Sequence, residues 1–498
     1  MTPSEFVAQL LVLAKQIWGP LWQQLPDEQR LRLAGLEAVM REVVRELVQG
    51  LWSVAMAALD AEAEQEAGRC ACGRRRERRK LSIELDVLGL KVTVPCTYFY
   101  CRHCKSGLCP ARRWLGQEDG GVSLALERAL TDLTSRLTFG DAVTTFEEQH
   151  GQEVDRTKAE RITYRVGDDA LEYLEQRRRQ ALGELEVEQR TVGVEQLQMT
   201  QDGGIVRVGK LKRPSAEDVT DETERTPVRN LPKGTREIQG REGRLVVVRK
   251  PDTLTERVVD LHIAPLKQPE VSGEHMLAAA AEAGLRDNTA IHSVSDMGPW
   301  IVGQLEQQFR GSYKLSTLAD IIHVTEYLTG AGRVIVGADG AEAYGQRLKR
   351  LLLEGELEAV ISELDAHRCN GHCLTDEHGT CLVRAAYRYL DNHRRYLDYP
   401  WALERDLPIG SGEAESGIRH VLKKRMDVAG AWKEENAQRV LALITIRASG
   451  WWDDFWRWRD ARDLEHWRRR QRGEEKRAFR GRPAAQPPRR NGLRRFVW

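Results

Sequence analysis

The sequence predicts a multidomain α/β protein, and three observations support this prediction. The chain has 498 residues, of which 41% are apolar, enough for roughly two to four domains with packed cores. A β-hairpin pattern lies between two cysteine pairs in residues 67–115. From residue 190 the apolar runs follow the order three strands, helix, strand, helix, strand, which predicts a mixed sheet covered by helices.

Composition excludes several classes of protein. No apolar run approaches the roughly 18–20 residues that cross a bilayer, so no membrane-spanning helix and no membrane partner are expected. The first residues form an amphipathic pattern without a basic n-region or a small-residue cleavage site, which argues against a secretion signal. Nine cysteines are too few for a disulfide scaffold, so we expect a cytoplasmic, nucleoid-associated protein with reduced or metal-bound thiols.

The charge is unevenly distributed, although the net charge is only +1. Residues 68–115 hold twelve Lys and Arg against three Asp and Glu, and residues 467–498 hold twelve against two. Two basic regions in an otherwise balanced chain indicate a polyanionic partner such as nucleic acid. The alternative is a solvated basic surface with a disordered tail.

Helices are predicted on both sides of the cysteine-containing segment. Residues 1–66 carry leucines and valines at helical spacing, which favours a helical hairpin or an arm for oligomerisation. Residues 116–189 are also helical in pattern, and the stretch 139–166 contains a break at Gly151 and a possible cap at Thr157. Two helices joined in this way are compatible with a helix-turn-helix whose second helix enters a major groove.

The cysteines of residues 67–115 predict a structural zinc site. Two cysteine pairs flank a hairpin with a turn near Gly89, and the hairpin returns the second pair to the first, as tetrahedral zinc requires. The expected Zn²⁺ ligands are Cys70, Cys72, Cys101 and Cys104. The first pair is C-x-C, tighter than the usual C-x-x-C, and Cys96 and Cys109 could substitute. Free cysteines on a hairpin are the alternative.

Three acids predict the catalytic chemistry. Asp202 and Asp296 each end a predicted strand, in QMTQDGG and HSVSDMGPW, and Glu415 lies in the first turn of a helix that starts near Ser411. Carboxylates at strand ends can converge, and their oxygens suit two Mg²⁺ ions that act in phosphoryl transfer. Each acid alone has an ordinary explanation as a turn residue or a helix cap. The joint pattern favours a metal-dependent site.

Basic residues follow Glu415 on the same predicted helix. Arg419 and Lys423 share its face at spacings of four, and Lys424 and Arg425 come next. We expect these four residues to bind DNA phosphates, with a salt-bridged surface helix as the alternative.

Two further segments carry weaker signals. A second zinc site is permitted by the spacing of His367, Cys369, His372, Cys373, His378 and Cys381. The Arg-rich tail from residue 467 is expected to be disordered and to contact DNA without sequence preference.

The chain resembles the DDE-type transposases of bacterial insertion sequences, and it is most similar to the ISKra family. The most specific segment spans residues 389–432 and contains LPIGSGEAESGIRHVLKKRM, and it continues to LALITIRASGWWDDFW. The motifs HVTEYL and SDMGPWI are the second and third matches. The resemblance covers roughly residues 65–460. The polar loop 210–240 diverges from the family, and Met297 and Pro299 stand where smaller or more polar residues are expected.

The resemblance implies an RNase H-like catalytic core. In the family the G-S-G-x-x-E segment supplies the catalytic glutamate, which selects Glu415, with Glu413 as the fallback; the two aspartates map onto Asp202 and Asp296. Together with the residue patterns at both ends of the chain, the resemblance predicts seven segments. They are an N-terminal helical region (1–66), a zinc ribbon (67–115), a helix-turn-helix-like region (116–189), the first part of the core (190–325), a helical insertion (326–405), the closing part of the core (406–458) and a basic tail (459–498).

The implied activity is DNA transposition. Two Mg²⁺ ions, or Mn²⁺ in their place, would support hydrolysis of a phosphodiester at the element end and attack of the freed 3′-hydroxyl on target DNA. The expected partners are the terminal inverted repeats, target DNA and further copies of the chain, because a synaptic complex holds two ends. The alternatives are an inactive or repurposed DNA-binding protein and a nuclease that cuts without joining.

Overall fold

The computed structural model of the chain describes residues 3–24, 33–110, 121–188, 192–212, 235–251, 256–263, 268–367, 375, 379, 381–427 and 431–472. Within them the chain is mixed α/β, as predicted, with a three-stranded antiparallel sheet and a five-stranded mixed sheet. It forms two compact units, one of residues 1–128, 150–152 and 456–498, and the other of residues 129–149 and 153–455. No helix in the described ranges is long and apolar enough to cross a membrane.

The first unit combines two long helices with an antiparallel sheet. Its elements are α1 (Pro3–Gln24), α2 (Leu33–Ala67), β1 (Glu77–Val87), β2 (Leu90–Cys101) and β3 (Ser106–Leu108). A two-residue turn with Gly89 at φ 80° joins β1 to β2, as the sequence predicts, because glycine adopts positive φ without steric cost. Gln49 of α2 donates a 3.0 Å hydrogen bond to the Thr93 carbonyl, and Trp52 packs on the sheet core.

Three helices follow the antiparallel sheet: α3 (Leu124–Thr134), α4 (Phe139–His150) and α5 (Arg156–Glu188). Gly151 breaks the chain between α4 and α5 at φ 64°, where the sequence predicts a break. The cap prediction at Thr157 is wrong, because Asp155 precedes α5 and its carboxylate accepts a 3.1 Å hydrogen bond from the Lys158 N–H. The predicted interior residues Ala159, Ile162 and Val166 are buried.

The five strands of the second unit lie in the order β6-β5-β4-β7-β8. Their bounds are β4 (Gln196–Lys212), β5 (Thr235–Arg249), β6 (Arg257–Ile263), β7 (Ala290–Ser295) and β8 (Lys314–Ala319). Strands β4, β5 and β6 form an antiparallel meander, while β7 and β8 add in parallel beyond β4. The helices α6 (Pro269–Glu282) and α7 (Pro299–Gln308) connect β6 to β7 and β7 to β8.

Two predicted strand bounds are wrong. Strand β4 does not end at Asp202; it continues through Gly203 and Gly204 to Lys212, because β5 stays paired with it across both glycines. Only the parallel ladder with β7 stops before Asp202. The apolar run YKLSTLADIIHV (313–324) predicts the last strand of the sheet, but it is strand only as far as Ala319, and its last residues begin a helix.

Helices complete the second unit after β8. They are α8 (Ile321–Ile335), α9 (Ala338–Leu353), α10 (Leu357–Ala366), α11 (Leu382–Asn392), a 3₁₀ turn (Arg394–Tyr396) and α12 (Tyr399–Leu403). Helix α13 (Gly412–Gly417) continues through a π-helical segment (Ile418–Lys423) into the short α14 (Lys424–Met426). The last helix that lies wholly in this unit is α15 (Glu434–Ala448); α16 (Trp452–Arg472) follows it, and from residue 456 it belongs to the first unit.

The mixed sheet has an apolar core on each face. Side chains alternate along a strand, so Leu245 and Leu261 pack on the face of α13 and α15, whereas Val246 and Leu197 pack on the face of α6 and α7. The helices α8 to α12 form a third core that reaches β7 at Val294. This arrangement leaves the carboxyl ends of β7 and β8 beside the helix that carries Glu415.

Candidate active site

Three aspartates lie at the same level on three neighbouring strands. Gln201 pairs with Ser295, and Ser295 pairs with Ala319. The residue after each of these is an aspartate: Asp202 within β4, Asp296 directly after β7 and Asp320 directly after β8. Adjacent strands lie roughly 4.8 Å apart, so this register brings three aspartates together at the carboxyl ends of β7 and β8, which we call the edge of the sheet. The sequence predicts two of these acids and misses Asp320, which follows a strand directly, as Asp296 does.

The residues whose charges change the pKa of Asp202 are those that lie near it at this edge of the sheet. Asp202 is partly buried, and burial raises the pKa of its carboxyl to about 6. The carboxylates of Asp296 and Glu415 contribute to this increase, whereas the Gly203 N–H and His323 oppose it. Asp296 and Glu415 therefore both lie within electrostatic range of Asp202.

Asp296 is positioned by its own loop. Its Oδ1 accepts a 2.9 Å hydrogen bond from the Gly298 N–H, and its backbone carbonyl accepts one of 3.1 Å from the Tyr389 hydroxyl. Met297 is buried at φ 63°, a left-handed conformation that is strained for this residue type. Pro299 begins α7, where its missing N–H costs no hydrogen bond. The two departures from the family pattern thus belong to the turn that orients Asp296.

Asp320 joins the sheet edge to the glutamate helix. Its Oδ1 accepts a 2.7 Å hydrogen bond from the Ile322 N–H and so caps α8. Its Oδ2 accepts hydrogen bonds from the hydroxyl and the N–H of Ser411, the residue before α13. Ser411 therefore does not cap α13 with its side chain; it fastens the start of that helix to the buried carboxylate of Asp320.

The two candidate glutamates of α13 have different surroundings. Glu413 forms an ion pair of 3.0 Å with the Arg249 guanidinium, away from the aspartates. Glu415 is exposed, lies within electrostatic range of Asp202, and its Oε1 accepts a 3.0 Å hydrogen bond from Arg419. The geometry favours Glu415 over Glu413 as the third acid of the cluster.

Glycines bring the glutamate helix close to the sheet. A Cβ atom added at Gly204 would lie 2.6 Å from a Leu422 methyl, and one added at Gly417 would lie 2.5 Å from a Leu245 methyl. The helix changes to π-helical hydrogen bonding at Ile418, directly after this contact. Such π segments are frequent at functional sites, because they shift the faces that a helix presents.

His323 stands beside the acids on the first turn of α8. Its Nδ1 lies 3.6 Å from Glu326 Oε2, and its ring contacts Tyr327 and Tyr389 edge-on. Its proximity to Asp202 makes it a candidate for contact with a bound phosphodiester.

The predicted basic residues fall into two groups. Arg419, Lys423 and Lys424 are exposed on the helix. Arg425 is 2% exposed, is packed against the rings of Phe139 and Trp432, and donates a 2.7 Å hydrogen bond to the Thr134 carbonyl. The structure therefore removes Arg425 from the exposed basic surface, because its guanidinium holds this helix against the α3–α4 connection.

The four predicted zinc ligands come together in the first unit. All sulfur atoms of Cys70, Cys72, Cys101 and Cys104 lie within 4.8 Å of one another, so the cluster could hold a metal such as zinc. The Cys72 N–H and neighbouring thiols lower the pKa of Cys70 to about 6, whereas hydrogen bonds to Cys72 and Cys70 raise that of Cys104 to about 12. Four thiolates at this spacing repel one another, and a bound cation would remove that repulsion.

The other cysteines that the structure describes, Cys96, Cys109 and Cys381, are not part of this cluster. The spare residues Cys96 and Cys109 form their own contact, with their sulfur atoms 3.6 Å apart. Of the predicted second zinc cluster, His367 and Cys381 are described, whereas Cys369, His372, Cys373 and His378 lie outside the described residues. Most of the basic tail, from residue 473, also lies outside them. The second zinc site and the role of the tail stay predictions.

A scan against models of known protein families finds no match for this chain. A search of curated proteins also finds no match.

The raised pKa of Asp202 predicts a pH-dependent stability in the absence of divalent cations. An acid with a higher pKa in the folded chain contributes stability below pH ~4 and loses it as the pH rises through about 6. In EDTA, we expect Asp202→Asn to raise the free energy of unfolding by on the order of 2 kcal/mol near pH 7.5, and by much less near pH 4. Denaturant titrations at both pH values measure this difference. The exposed Asp287→Asn is the control, and equal gains at both pH values would contradict the prediction.

Proposed function

We propose that this chain is a DDE-type DNA transposase with an RNase H-like catalytic core. The observation that carries the proposal is the convergence of Asp202, Asp296 and Glu415 at one edge of the mixed sheet. Asp202 and Asp296 are partly buried, and like charges in such a place are costly to hold together unless they bind cations or protons. The exposed neighbours Lys423 and Lys424 suit a polyanionic substrate.

The order of the elements supports the RNase H-like core. Strands β4, β5 and β6 are followed by α6, β7, α7 and β8, the expected succession of three strands, helix, strand, helix and strand. A helical region, α8 to α12, separates β8 from the glutamate helix. The G-S-G-x-x-E segment occupies the start of that helix, where the family resemblance implies the catalytic glutamate.

In the proposed reaction the cations stabilise charge on the phosphodiester and the acidic side chains bind the cations. Two bound Mg²⁺ ions would stabilise the attacking and leaving oxygens of the phosphodiester. Asp202 and Asp296 would supply hard oxygen ligands from the sheet, and Glu415 would supply one from the facing helix. Asp320 is a positioning residue, because it holds the start of the glutamate helix through Ser411.

DNA would be held by surfaces outside the acid cluster. Arg419, Lys423 and Lys424 could contact phosphates next to the cleaved bond. Arg161 and Arg165 are exposed on α5, the second helix of the proposed helix-turn-helix. The cysteine-containing segment 67–115 is basic and would add contacts to the DNA backbone. Inverted repeats and target DNA are the proposed substrates, and pairing of two ends implies a homo-oligomer.

The matched pair Glu415→Gln and Glu413→Gln tests the proposal. The DNA consists of duplexes from both sides of the coding sequence, and products are separated on denaturing gels in Mg²⁺. We expect Glu415→Gln to lose strand cleavage by on the order of 10³-fold, because a ligand to the developing charge is removed. Glu413→Gln should retain most activity, since its carboxylate pairs with Arg249.

The same assay distinguishes the alternatives. Cleavage and joining of the 3′ end to a second duplex supports a transposase, whereas cleavage without joined products identifies a nuclease. Binding without cleavage by the wild-type protein in Mg²⁺ and in Mn²⁺ identifies a DNA-binding protein that has lost catalysis. A loss of activity in Glu413→Gln but not in Glu415→Gln would refute the assignment of the third acid.

A further inference from the structure

A second group of metal-ligand side chains lies in the same unit as the acid cluster. Asp260 and His262 are on β6, and His275 is on α6. His262 Nδ1 lies 2.6 Å from Asp260 Oδ1, and His275 Nδ1 lies 2.9 Å from Asp260 Oδ2. One ligand atom from each residue falls within 4.8 Å of the others. The trio thus offers two imidazole nitrogens and a carboxylate oxygen around one small volume.

This group is distinct from the proposed Mg²⁺ site. Asp202 pairs with Leu245 and belongs with it to the sheet face that carries α13, whereas Asp260 pairs with Val246 on the opposite face. The ligand chemistry also differs, because imidazole and carboxylate together suit first-row transition metals, whereas Mg²⁺ prefers oxygen alone.

Buried polar groups hold His262 in a form that can bind a metal. Its Nε2 lies 2.8 Å from Ser272 Oγ, and Arg244 donates a 2.8 Å hydrogen bond to the same oxygen. Ser272 and Arg244 are buried, and the Arg244 guanidinium lies over the Trp300 ring. A hydroxyl oxygen can accept both hydrogen bonds, so Ser272 can keep a proton on Nε2 when a cation replaces the proton that Nδ1 now shares with Asp260.

A cavity gives the group room for further ligands. Its volume is about 360 Å³, and its wall includes Asp260, His262, His275 and a second carboxylate, Glu282. Arg177 donates a 2.8 Å hydrogen bond to Glu282, and burial raises the pKa of Glu282. The rest of the wall mixes apolar side chains with polar ones such as Arg178, Gln438 and Thr445, so water or a small ligand in the cavity could contact the metal-ligand group.

We propose that Asp260, His262 and His275 bind one divalent transition-metal ion, Zn²⁺ in the first instance, with its open coordination positions toward the cavity. The imidazole rings are now stacked, with centroids 4.0 Å apart and planes 20° apart. Stacked rings do not aim two lone pairs at one point, so the His275 ring turns on binding. The His275 ring has more room to rotate than the His262 ring. It lines the cavity and 20% of the His275 side chain is exposed, whereas Ser272 is hydrogen-bonded to His262.

Metal analysis of the full-length protein tests the proposal without reference to transposition. The protein is stripped with a chelator, reloaded with Zn²⁺, freed of excess ion and measured by atomic emission. We expect His275→Gln and Asp260→Asn each to lower the zinc content by one ion per chain. His393→Gln, at a partly buried histidine whose Nδ1 contacts a backbone carbonyl, is the control and should match the wild type.

Cobalt provides a second readout on the wild-type protein. Co²⁺ bound to cysteine gives a strong near-ultraviolet thiolate band, whereas Co²⁺ bound to histidine and aspartate gives only weak visible absorption. We expect a wild-type component of the second kind, absent from His275→Gln. Zinc contents that are equal in the wild type and both variants, with no thiolate-free cobalt component, would overturn the proposal. If a variant fails to fold, as judged by circular dichroism, the wild-type cobalt spectrum alone decides.

Discussion

Asp202→Asn and Asp296→Asn are expected to reduce strand cleavage by at least the order of 10³-fold while DNA binding persists. Asparagine keeps the shape of aspartate but removes the negative charge that a divalent cation requires, and such cations supply several kcal/mol of transition-state stabilisation. Binding should persist or tighten, because the acid cluster otherwise repels phosphates. Single-turnover cleavage and equilibrium binding, each in Mg²⁺, measure the two effects.

The control for these variants is Asp287→Asn, an exposed aspartate outside the acid cluster. It should cleave at the wild-type rate. Retention of more than about a tenth of the wild-type rate by either Asp202→Asn or Asp296→Asn would exclude that acid as a ligand for catalytic metal. A parallel loss of cleavage and binding would indicate a structural defect instead.

The second large effect is expected at the cysteine cluster. The double variant Cys72→Ser/Cys101→Ser should lose the bound zinc and the ordered structure of the adjacent β1–β3 sheet. Structural zinc contributes roughly 10 kcal/mol or more of apparent binding free energy in small modules, far above what this small core can replace. Hydrogen exchange of residues 77–108 in the full-length protein should become fast. Chelation of the wild-type protein should have the same effect.

Cys109→Ser provides the matched control for the cluster. Cys109 lies in the same module, but its sulfur contacts Cys96 instead of the four clustered thiols. Its zinc content and hydrogen exchange should remain those of the wild type. Zinc retention by the double variant, or zinc loss by Cys109→Ser, would show that the cluster of Cys70, Cys72, Cys101 and Cys104 is not the binding site.

The sequence alone predicts the strands and the two aspartates because local patterns specify them. Apolar runs of strand length ending in an acid place Asp202 and Asp296, and the parallel register then brings them together. The same reasoning misses Asp320, because the apolar residues of β8 and α8 run on without a break and the acid between them looks internal. The sequence pattern also predicts an end of β4 at Asp202 that is too early. D-G-G is usually a turn, and here the pairing with β5 keeps it extended.

Other parts of the sites depend on contacts between distant residues. The motif spacing selects Glu415 and leaves Glu413 as the fallback, whereas the ion pair of Glu413 with the distant Arg249 distinguishes the two by geometry. In the sequence Arg425 belongs to a basic stripe, but in the structure the rings of Phe139 and Trp432 pack against its guanidinium. The Asp260 group needs His275 from another element, and no local pattern indicates which face of a helix meets which strand.

The Asp320 carboxylate also determines how the helical region α8 to α12 is attached. It caps the helix at which that region begins and binds Ser411, 91 residues later, where the region ends. The Ile321 N–H donates a 3.0 Å hydrogen bond to the Ile409 carbonyl at the same junction. Because the chain enters and leaves the helical region at the same point, this region behaves as one long loop closed at Asp320 and Ser411. The entropic cost of closing such a loop grows only with the logarithm of its length. Insertions between α10 and α11 are therefore compatible with an unchanged position of Glu415.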